Sequence, residues 1–322
     1  MNISNKAVTV RVPGKLFFAG EYAVTRPNGL ALVTTIETDF VVTISKSEGK
    51  SRLHTNVNLP DFEFMLAHIS FDKENMWNFA LTTLLKTLSA QIRNLSVLTE
   101  EICVEIQSEM GFGVQKKGYG SSASVVCGMV NAVNEYFGLE LTLEERFEIA
   151  ATTHFEVQGS GSMGDIAAIM YGGSVFYQNH HRVIPVEIPW KTYVLQTGKS
   201  AKTSEKLKID LSEDFFVASD ELVIEIATAI DINDFELFKE KLLENQLLLL
   251  KNIPDGYMTY KLSVGLNLVN SHPELAGKIS GAGFGENIII FAKSDENIDE
   301  LRERLKNYEI ELIESKISMR NK

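Results

Sequence analysis

The chain has 322 residues, 44% of them hydrophobic and 23% charged, the composition of a globular protein with room for about two domains. A formal net charge of −12 excludes general electrostatic attraction to nucleic acid or to an anionic membrane surface, so an anionic substrate requires a local basic pocket. The two cysteines, Cys103 and Cys127, sit in apolar stretches and read as buried thiols of a reducing compartment; with no membrane-length apolar run and no signal peptide, the expected location is the cytoplasm.

Residues 8–12 alternate in polarity and predict a strand. Residues 30–45, rich in Thr, Val and Ile, predict strands around a turn. Residues 75–88 place Trp77, Leu81, Leu84, Leu85 and Leu88 at helical spacing, and residues 102–107 alternate as a further strand. A helix follows residue 120 and should bury Val125, Val126, Met129, Val130, Val133 and Phe137. Residues 142–158 predict a helix that Thr142 caps and Glu145 boxes. Residues 172–178 and 183–188 read as a hairpin pair. Beyond Pro189 and Trp190 the character changes, and the domain boundary is placed there, giving units 1–190 and 191–322. In the second unit 193–196 is strand-like, helices open at Ser219 and Asp234, and a third covers 257–270. Residues 279–293 are strand-like around a glycine turn, 296–307 a last helix and 310–315 a last strand.

The turn Gly118-Tyr119-Gly120-Ser121-Ser122-Ala123-Ser124 opens a helix. Glycines let a backbone approach an anion, free N–H groups of a helix N-terminus point at it, and serine hydroxyls add donors or a magnesium ligand. The segment reads either as a phosphate cradle or as an N-cap with flexible glycines. Two tempting strings fail. Gly198-Lys199-Ser200 lacks the upstream glycine of a Walker A loop, since that position is Tyr193. Gly159-x-Gly161-x-x-Gly164 follows a predicted helix and not the first strand of a βαβ unit. His180 and His181 are adjacent, poor spacing for a metal, and read as a turn; the other histidines are scattered.

Three further segments complete the set. Residues 13–22 place Lys15 and Glu21 in an apolar, glycine-flanked stretch, where a buried lysine requires an anion. Residues 160–165 place Asp165 in a small-residue loop ahead of an apolar run, otherwise a helix cap. Residues 278–286 form a second glycine-rich loop, otherwise a tight hairpin turn. Together with the cradle they suggest one phosphate-handling site.

The order Gly14-Lys15…Gly20-Glu21-Tyr22, then 118–124, then 280–285 resembles the three motifs of the GHMP small-molecule kinases. Residues 15–24, with tyrosine after the glutamate, and residues 158–168 are most similar to the phosphomevalonate kinases of the bacterial mevalonate pathway, and residues 197–204 to that group's substrate-side threonine/serine loop. The chain departs from the family's usual pattern at Tyr119 (often leucine), at Ser124 (often alanine) and at Gly283-Phe284-Gly285-Glu286, where a run of glycines is usual; backbone cradling survives these changes.

The resemblance implies an α+β, two-domain GHMP kinase fold, an N-terminal α/β domain and a ferredoxin-like C-terminal domain with the site between them. It implies ATP and Mg2+ as cofactors and small-molecule substrates, ATP and phosphomevalonate. Lys116, Gly118, Gly120, Ser121, Ser122 and Ala123 would bind ATP, with Ser121 or Ser122 on magnesium. Lys15 would sit beside the transferred group, with Asp165 paired to it. Glu21, Tyr22, Ser160, Ser162, Thr197, Lys199, Lys202, Gly281, Ala282 and Gly283 would line the substrate side. Lys116, Lys117, Lys199 and Lys202 would supply a positive field. A mevalonate kinase, or another member with an alcohol acceptor, is the alternative; a ligand sensor that has lost catalysis would need neither Lys15 nor Asp165.

Overall fold

The computed structural model describes residues 7–70, 72, 74–93, 98, 100–110, 117–180, 182–198, 209–285 and 287–317. Strand β1 (Ala7–Ala19) runs antiparallel to the long β2 (Leu30–Lys46), from Ala7 opposite Ser45 to Ala19 opposite Leu32. The alternation expected over 8–12 therefore continues through Pro13 and Lys15. The turn expected inside 30–45 is absent: β2 is one strand, and its exposed polar centre, Glu37 and Asp39, falls in a register shift of its pairing with β1, between Ile36 opposite Gly14 and Phe40 opposite Val12. Strands β3 (Ser51–Thr55) and β4 (Phe62–Phe64), β5 (Ile102–Gln107), and the hairpin β6 (Ser174–Gln178) and β7 (Arg182–Val186) complete a seven-stranded sheet. Its path is β4-β3-β5-β2-β6-β7, with β1 on β2. The helices α1 (Asn78–Gln91), α2 (Ser121–Phe137), α3 (Leu143–Gln158) and α4 (Gly164–Tyr171) pack together, with α2 and α4 laid on β1 and β2. Thr142 and Glu145 form the expected capping box on α3. Val126, Met129, Val130 and Val133 are buried as expected, while Val125 and Phe137 are half-buried.

The second sheet contains β8 (Lys191–Gln196), β9 (Leu275–Ser280), β10 (Asn287–Ala292) and β11 (Glu311–Ser315). Helices α5 (Glu213–Asp231), α6 (Phe235–Asn252) and α7 (Tyr260–Asn270) lead from β8 to β9, and α8 (Ile298–Lys306) leads from β10 to β11. The antiparallel order β11-β8-β10-β9 is that of a split βαβ, ferredoxin-like sheet. With the first sheet and its helices this makes an α+β fold. Asp234 caps α6 as expected. Ser219, expected to open a helix, is instead buried inside α5, which Ser212 caps. Cys127 is buried, but Cys103, expected to be so, is half-buried; both are free thiols. No helix among the described residues is long and apolar enough to cross a membrane.

Strand β10 reads Asn-Ile-Ile-Ile-Phe-Ala and is buried along its whole length, the continuous apolar run of a strand covered on both faces. Ile288 and Ile290 face Leu266, Ile279 and Leu301; Ile289 and Phe291 join the core of the first sheet. Phe291 meets Phe18 of β1 edge-on at 5.2 Å and Phe238 of α6 at 4.9 Å.

A fully buried ion pair lies in this junction. Lys278 of β9 is fully buried and its Nζ donates to Glu21 Oε1 at 2.5 Å and to the Ile279 carbonyl at 2.9 Å. Burial pushes the Lys278 ammonium pKa down, and the Glu21 charge opposes that shift. Removing one partner leaves an enclosed charge uncompensated. Lys278→Met should therefore cost about 3–5 kcal/mol of stability in urea unfolding, and the double variant Glu21→Leu/Lys278→Met should recover most of it. A double variant as unstable as the single one would mean that packing, not charge, governs this position.

Candidate functional site

The residues that could handle an anion converge on the N-terminus of α2. Gly118 and Gly120 take φ of 77° and 81°. Gly120 is the N-cap, left-handed, and no side chain caps the helix, so the amides of Ser121, Ser122 and Ala123 keep their helix-end positive character for a ligand. A Cβ on Gly120 would lie 2.9 Å from Lys15 Cε and 3.2 Å from Lys15 Cγ, so glycine lets the Lys15 stem lie across the turn. Lys15 Nζ donates to the Gly118 carbonyl at 3.5 Å and stands 5.3 Å from the Phe17 ring centre; its backbone N–H donates to Tyr119 O at 3.0 Å. Strand β1 and the turn are thereby stitched together.

Asp165 lies in the first turn of α4, with Oδ1 accepting from the Ile166 N–H at 2.9 Å. The expected Lys15–Asp165 ion pair does not form: no acidic partner lies within 4.0 Å of Lys15 among the described residues. Phe17 touches both neighbourhoods. The Lys15 amine stands over its ring, and the edge of the ring packs on Gly164, where a Cβ would be 3.0 Å from Phe17 Cζ.

His154, which no sequence motif marks, also lies at this turn. It is 1% exposed, on α3, with Nε2 3.1 Å from Ser122 Oγ and Nδ1 without a hydrogen-bond partner among the described residues. Burial pushes its pKa down; the Asp165 charge pushes the other way. Burial, with a smaller contribution from the Asp165 charge, also raises the pKa of the Cys127 thiol and of the Tyr177 hydroxyl. The available signal was helical period: His154 lies one turn beyond buried Ala150, on the inner face of α3.

The second sheet holds the turn from the other side. Gln196 Nε2 donates to the Tyr119 hydroxyl, whose pKa burial pushes up to about 12, and Asn287 Nδ2 donates to Lys117 O at 2.6 Å. The glycine loop after β9 lies alongside. The Tyr22 hydroxyl donates to Ala282 O at 2.7 Å, and Thr197 Oγ1 to Gly285 O at 2.5 Å. Gly281 and Ala282 are half-buried and Gly283 is buried. Three positions expected on substrate thus have other partners. Glu21 is 4% exposed and holds Lys278, Tyr22 holds Ala282, and Thr197 is 2% exposed and holds Gly285. Ser160 and Ser162 lie in the loop before α4, half-buried, with the Ser162 carbonyl fixed by the Tyr177 hydroxyl at 2.7 Å. Lys116, Lys199 and Lys202 lie outside the described residues.

Residues 79–173, which span α1 to α4 and include the α2 turn, match the GHMP kinases N terminal domain, and residues 226–310 match the GHMP kinases C terminal domain. Between them they take in more than half of the sequence. The chain belongs to the GHMP kinases. A phosphomevalonate kinase of Streptomyces sp. is 28% identical over 225 residues, 62% of this chain and 57% of that protein. A mevalonate kinase of Thermococcus gammatolerans is 31% identical over 201 residues, 57% of this chain and 58% of that protein. The chain thus spans a little over half the length of the curated relatives it matches. The structure of Streptococcus pneumoniae phosphomevalonate kinase in complex with phosphomevalonate and AMPPNP superimposes with a TM-score of 0.84, covering 97% of this chain and all of that one at 22% identity, which shows a shared fold.

Gly283 shows how tightly the third loop is seated. Its φ is +76°, and a Cβ would stand 2.2 Å from Tyr257 Cδ2, on a ring that is itself fully buried. Gly138, at φ +62°, has nothing within 4 Å of the same position. Both Gly→Ala changes carry left-handed strain of about 1–2 kcal/mol, and Gly283→Ala adds about 1–3 kcal/mol of overpacking. In denaturant titrations Gly283→Ala should be clearly the less stable of the two; equal losses would show that Tyr257 yields.

Proposed function

We propose that this chain is an ATP-dependent kinase that phosphorylates (R)-5-phosphomevalonate to 5-diphosphomevalonate. The observation that carries the kinase reading is the uncapped N-terminus of α2 with the Lys15 stem laid across Gly120, in a chain of GHMP kinase family. The phosphomevalonate reading is supported by residues 15–24 and 158–168 and by the Streptomyces relative. The Thermococcus relative favours a second reading, a mevalonate kinase with an alcohol acceptor.

In this mechanism the ATP phosphates lie against Gly118 and Gly120 and accept from the amides of Ser121, Ser122 and Ala123, with Lys116 close by in sequence. Phosphoryl transfer needs mainly positioning and charge neutralisation. An oxygen of the acceptor phosphate forms the new bond to the γ-phosphorus as the bond to ADP breaks. A phosphate monoester has a second pKa near ~6 and is mostly dianionic at neutral pH, so this nucleophile needs no general base. Lys15, whose ammonium is hydrogen-bonded among the described residues to the Gly118 carbonyl, can follow charge onto the transferred group. Asp165, in the first turn of α4, adds a negative charge to the local field. Ser160, Ser162 and the Gly281–Gly283 segment would serve the acceptor side, to which the family resemblance also assigns Lys199 and Lys202, while Tyr22 on Ala282, Thr197 on Gly285 and Glu21 on Lys278 act one layer back.

Among the described residues no three His, Cys, Asp or Glu side chains cluster as a metal site. Mg2+ that keeps most of its waters and rides on phosphate oxygens needs only one or two protein oxygens, which suits the hydroxyls of Ser121 and Ser122. Bound there, it would neutralise charge on the nucleotide phosphates.

A coupled ADP-release assay with mevalonate and phosphomevalonate side by side tests the assignment; release with mevalonate alone would replace the acceptor but keep the kinase. Lys15→Ala should lower kcat about 10²–10³-fold with a much smaller loss of ATP affinity, because the ammonium acts where charge develops. Equal losses in turnover and in titrated affinity would make it a ground-state contact. Asp165→Asn should lower the plateau of the turnover–pH profile yet keep its acid limb, which follows the acceptor phosphate. An acid limb that vanishes in the folded variant points to an alcohol acceptor with Asp165 as base.

A further inference from the structure

Residues 159–163 join α3 to α4 and carry Ser160 and Ser162. The loop has an uncommon backbone: Gly159, Gly161 and Met163 take φ of 80°, 131° and 62°. Within the loop Gln158 Nε2 donates to Ser160 O at 3.2 Å, and the Gly164 N–H to Ser162 Oγ at 3.4 Å. Among the described residues its hydrogen bond to the sheet comes from Tyr177 of β6, whose hydroxyl donates to Ser162 O at 2.7 Å. The Tyr177 ring also flanks the start of α4, where a Cβ on Gly164 would stand 3.2 Å from Tyr177 Cδ1. The same hydroxyl lies 3.2 Å from Oδ1 of Asn179, a buried residue just past β6. Asn179 Nδ2 donates to Val24 O at 2.9 Å and to Arg26 O at 3.1 Å. Two carbonyls claim the amide nitrogen, so the end that faces Tyr177 is the oxygen, which can only accept. The hydroxyl proton therefore has two acceptors, and the shorter contact is Ser162 O. Burial pushes the Tyr177 pKa up to about 12, so that proton stays in place at neutral pH. Residues 24–26 are in turn tied to the segment before them, since Val24 N donates to Gly20 O at 3.0 Å and Thr25 Oγ1 to Tyr22 O at 2.6 Å.

We propose that Tyr177 and Asn179 are positioning residues for the acceptor: in series they lock the 160–163 loop to the turn that follows Tyr22. The inference deepens the kinase reading and rests on it, and it holds for either acceptor of that reading. Two segments assigned to the acceptor side, far apart in sequence, are registered against each other through one end of β6. A loop held in a sparsely populated backbone needs such an anchor, because without it the strain is relieved by movement. Tyr177→Phe would leave Ser162 O and Asn179 Oδ1 facing each other with no proton between them. The nucleotide side is anchored separately. The 118–120 turn is held by the Lys15 amide, Gln196 and Asn287, whose bonds do not pass through Tyr177 or Asn179. Loss of the Tyr177–Asn179 link therefore acts on one substrate and spares the other.

Steady-state kinetics, with calorimetric titration of a non-hydrolysable ATP analogue, test this on the full chain. Wild type is assayed with phosphomevalonate and with mevalonate, and whichever it phosphorylates serves as the acceptor. A wild type that phosphorylates neither overturns the kinase reading and this inference with it. With an active wild type, Tyr177→Phe should raise the acceptor KM about tenfold, the scale of one buried hydrogen bond whose acceptor is left bare, and change kcat by less. The Kd of the ATP analogue should stay at its wild-type value, a split that general loosening of the fold does not produce. Asn179→Ala, which cuts the same link at its other end, should raise the acceptor KM in the same direction. The double variant should be no worse than the worse single variant, because two breaks in one series connection do not add. Should either single variant fold poorly, the other carries the KM-against-Kd comparison by itself. An unchanged acceptor KM in a folded variant, an equal weakening of the ATP analogue, or additive losses in a folded double variant would each overturn the proposal while leaving the kinase reading standing.

Discussion

The position of Glu21 on Lys278 is the constraint from which the geometry of the site follows. Glu21 comes directly after β1, the strand that carries Lys15, and Lys278 lies on β9 just ahead of the 281–285 loop. Apolar contact between the halves, Phe18 on Phe291 for example, is strong but tolerates sliding, because burial depends on area more than on direction. A buried ion pair is the reverse: it contributes little net stability against its desolvation, but one wrong register leaves a charge without its partner. Here the cost is visible, since Glu21 Oε2 is enclosed and makes no hydrogen bond among the described residues. What that cost secures is alignment of Lys15, the α2 turn and the third glycine loop.

Much of the fold was legible because its signals are local. The capping box at Thr142 and Glu145, the cap at Asp234 and the alternation of residues 102–107 depend on neighbours in sequence and appear where expected. Misreadings occurred where tertiary pairing overrides such signals. The polar centre of β2 resembles a turn only if β1 is unknown. Ser219 resembles a cap only if its burial against the core is unknown. Strand β3 has one large buried apolar residue, Leu53, and is held by its pairing with β5, so no period announces it.

The candidate site divides the same way. The glycines and serines of 118–124 follow from backbone chemistry, and the structure puts Lys15 beside them. The lysine that is actually buried, Lys278, lies in a stretch read as a turn, and the anion it requires is far away in sequence. Lys15, expected to be the buried one, is half-buried and hydrogen-bonded to a carbonyl. His154 was overlooked because a single histidine on a helix has no motif; only its place against Ser122 gives it meaning.

Tyr119 shows that a departure from the usual motif has a structural partner elsewhere. The usual leucine would supply apolar volume in the turn and nothing more. Tyrosine supplies a ring whose Cβ abuts Gly14 of β1 and a hydroxyl that reaches Gln196 at the end of β8. With Asn287 on Lys117 O, two side chains of the second sheet grip the turn whose other side is held by the Lys15 amide. A loop held from both halves has fewer conformations to lose when an anion arrives, so more of the contact energy is realised as binding. The same grip couples any shift between the halves to the cradle. Tyr119 and Gln196 therefore belong to one arrangement, and a leucine at 119 would leave the Gln196 amide in search of another acceptor.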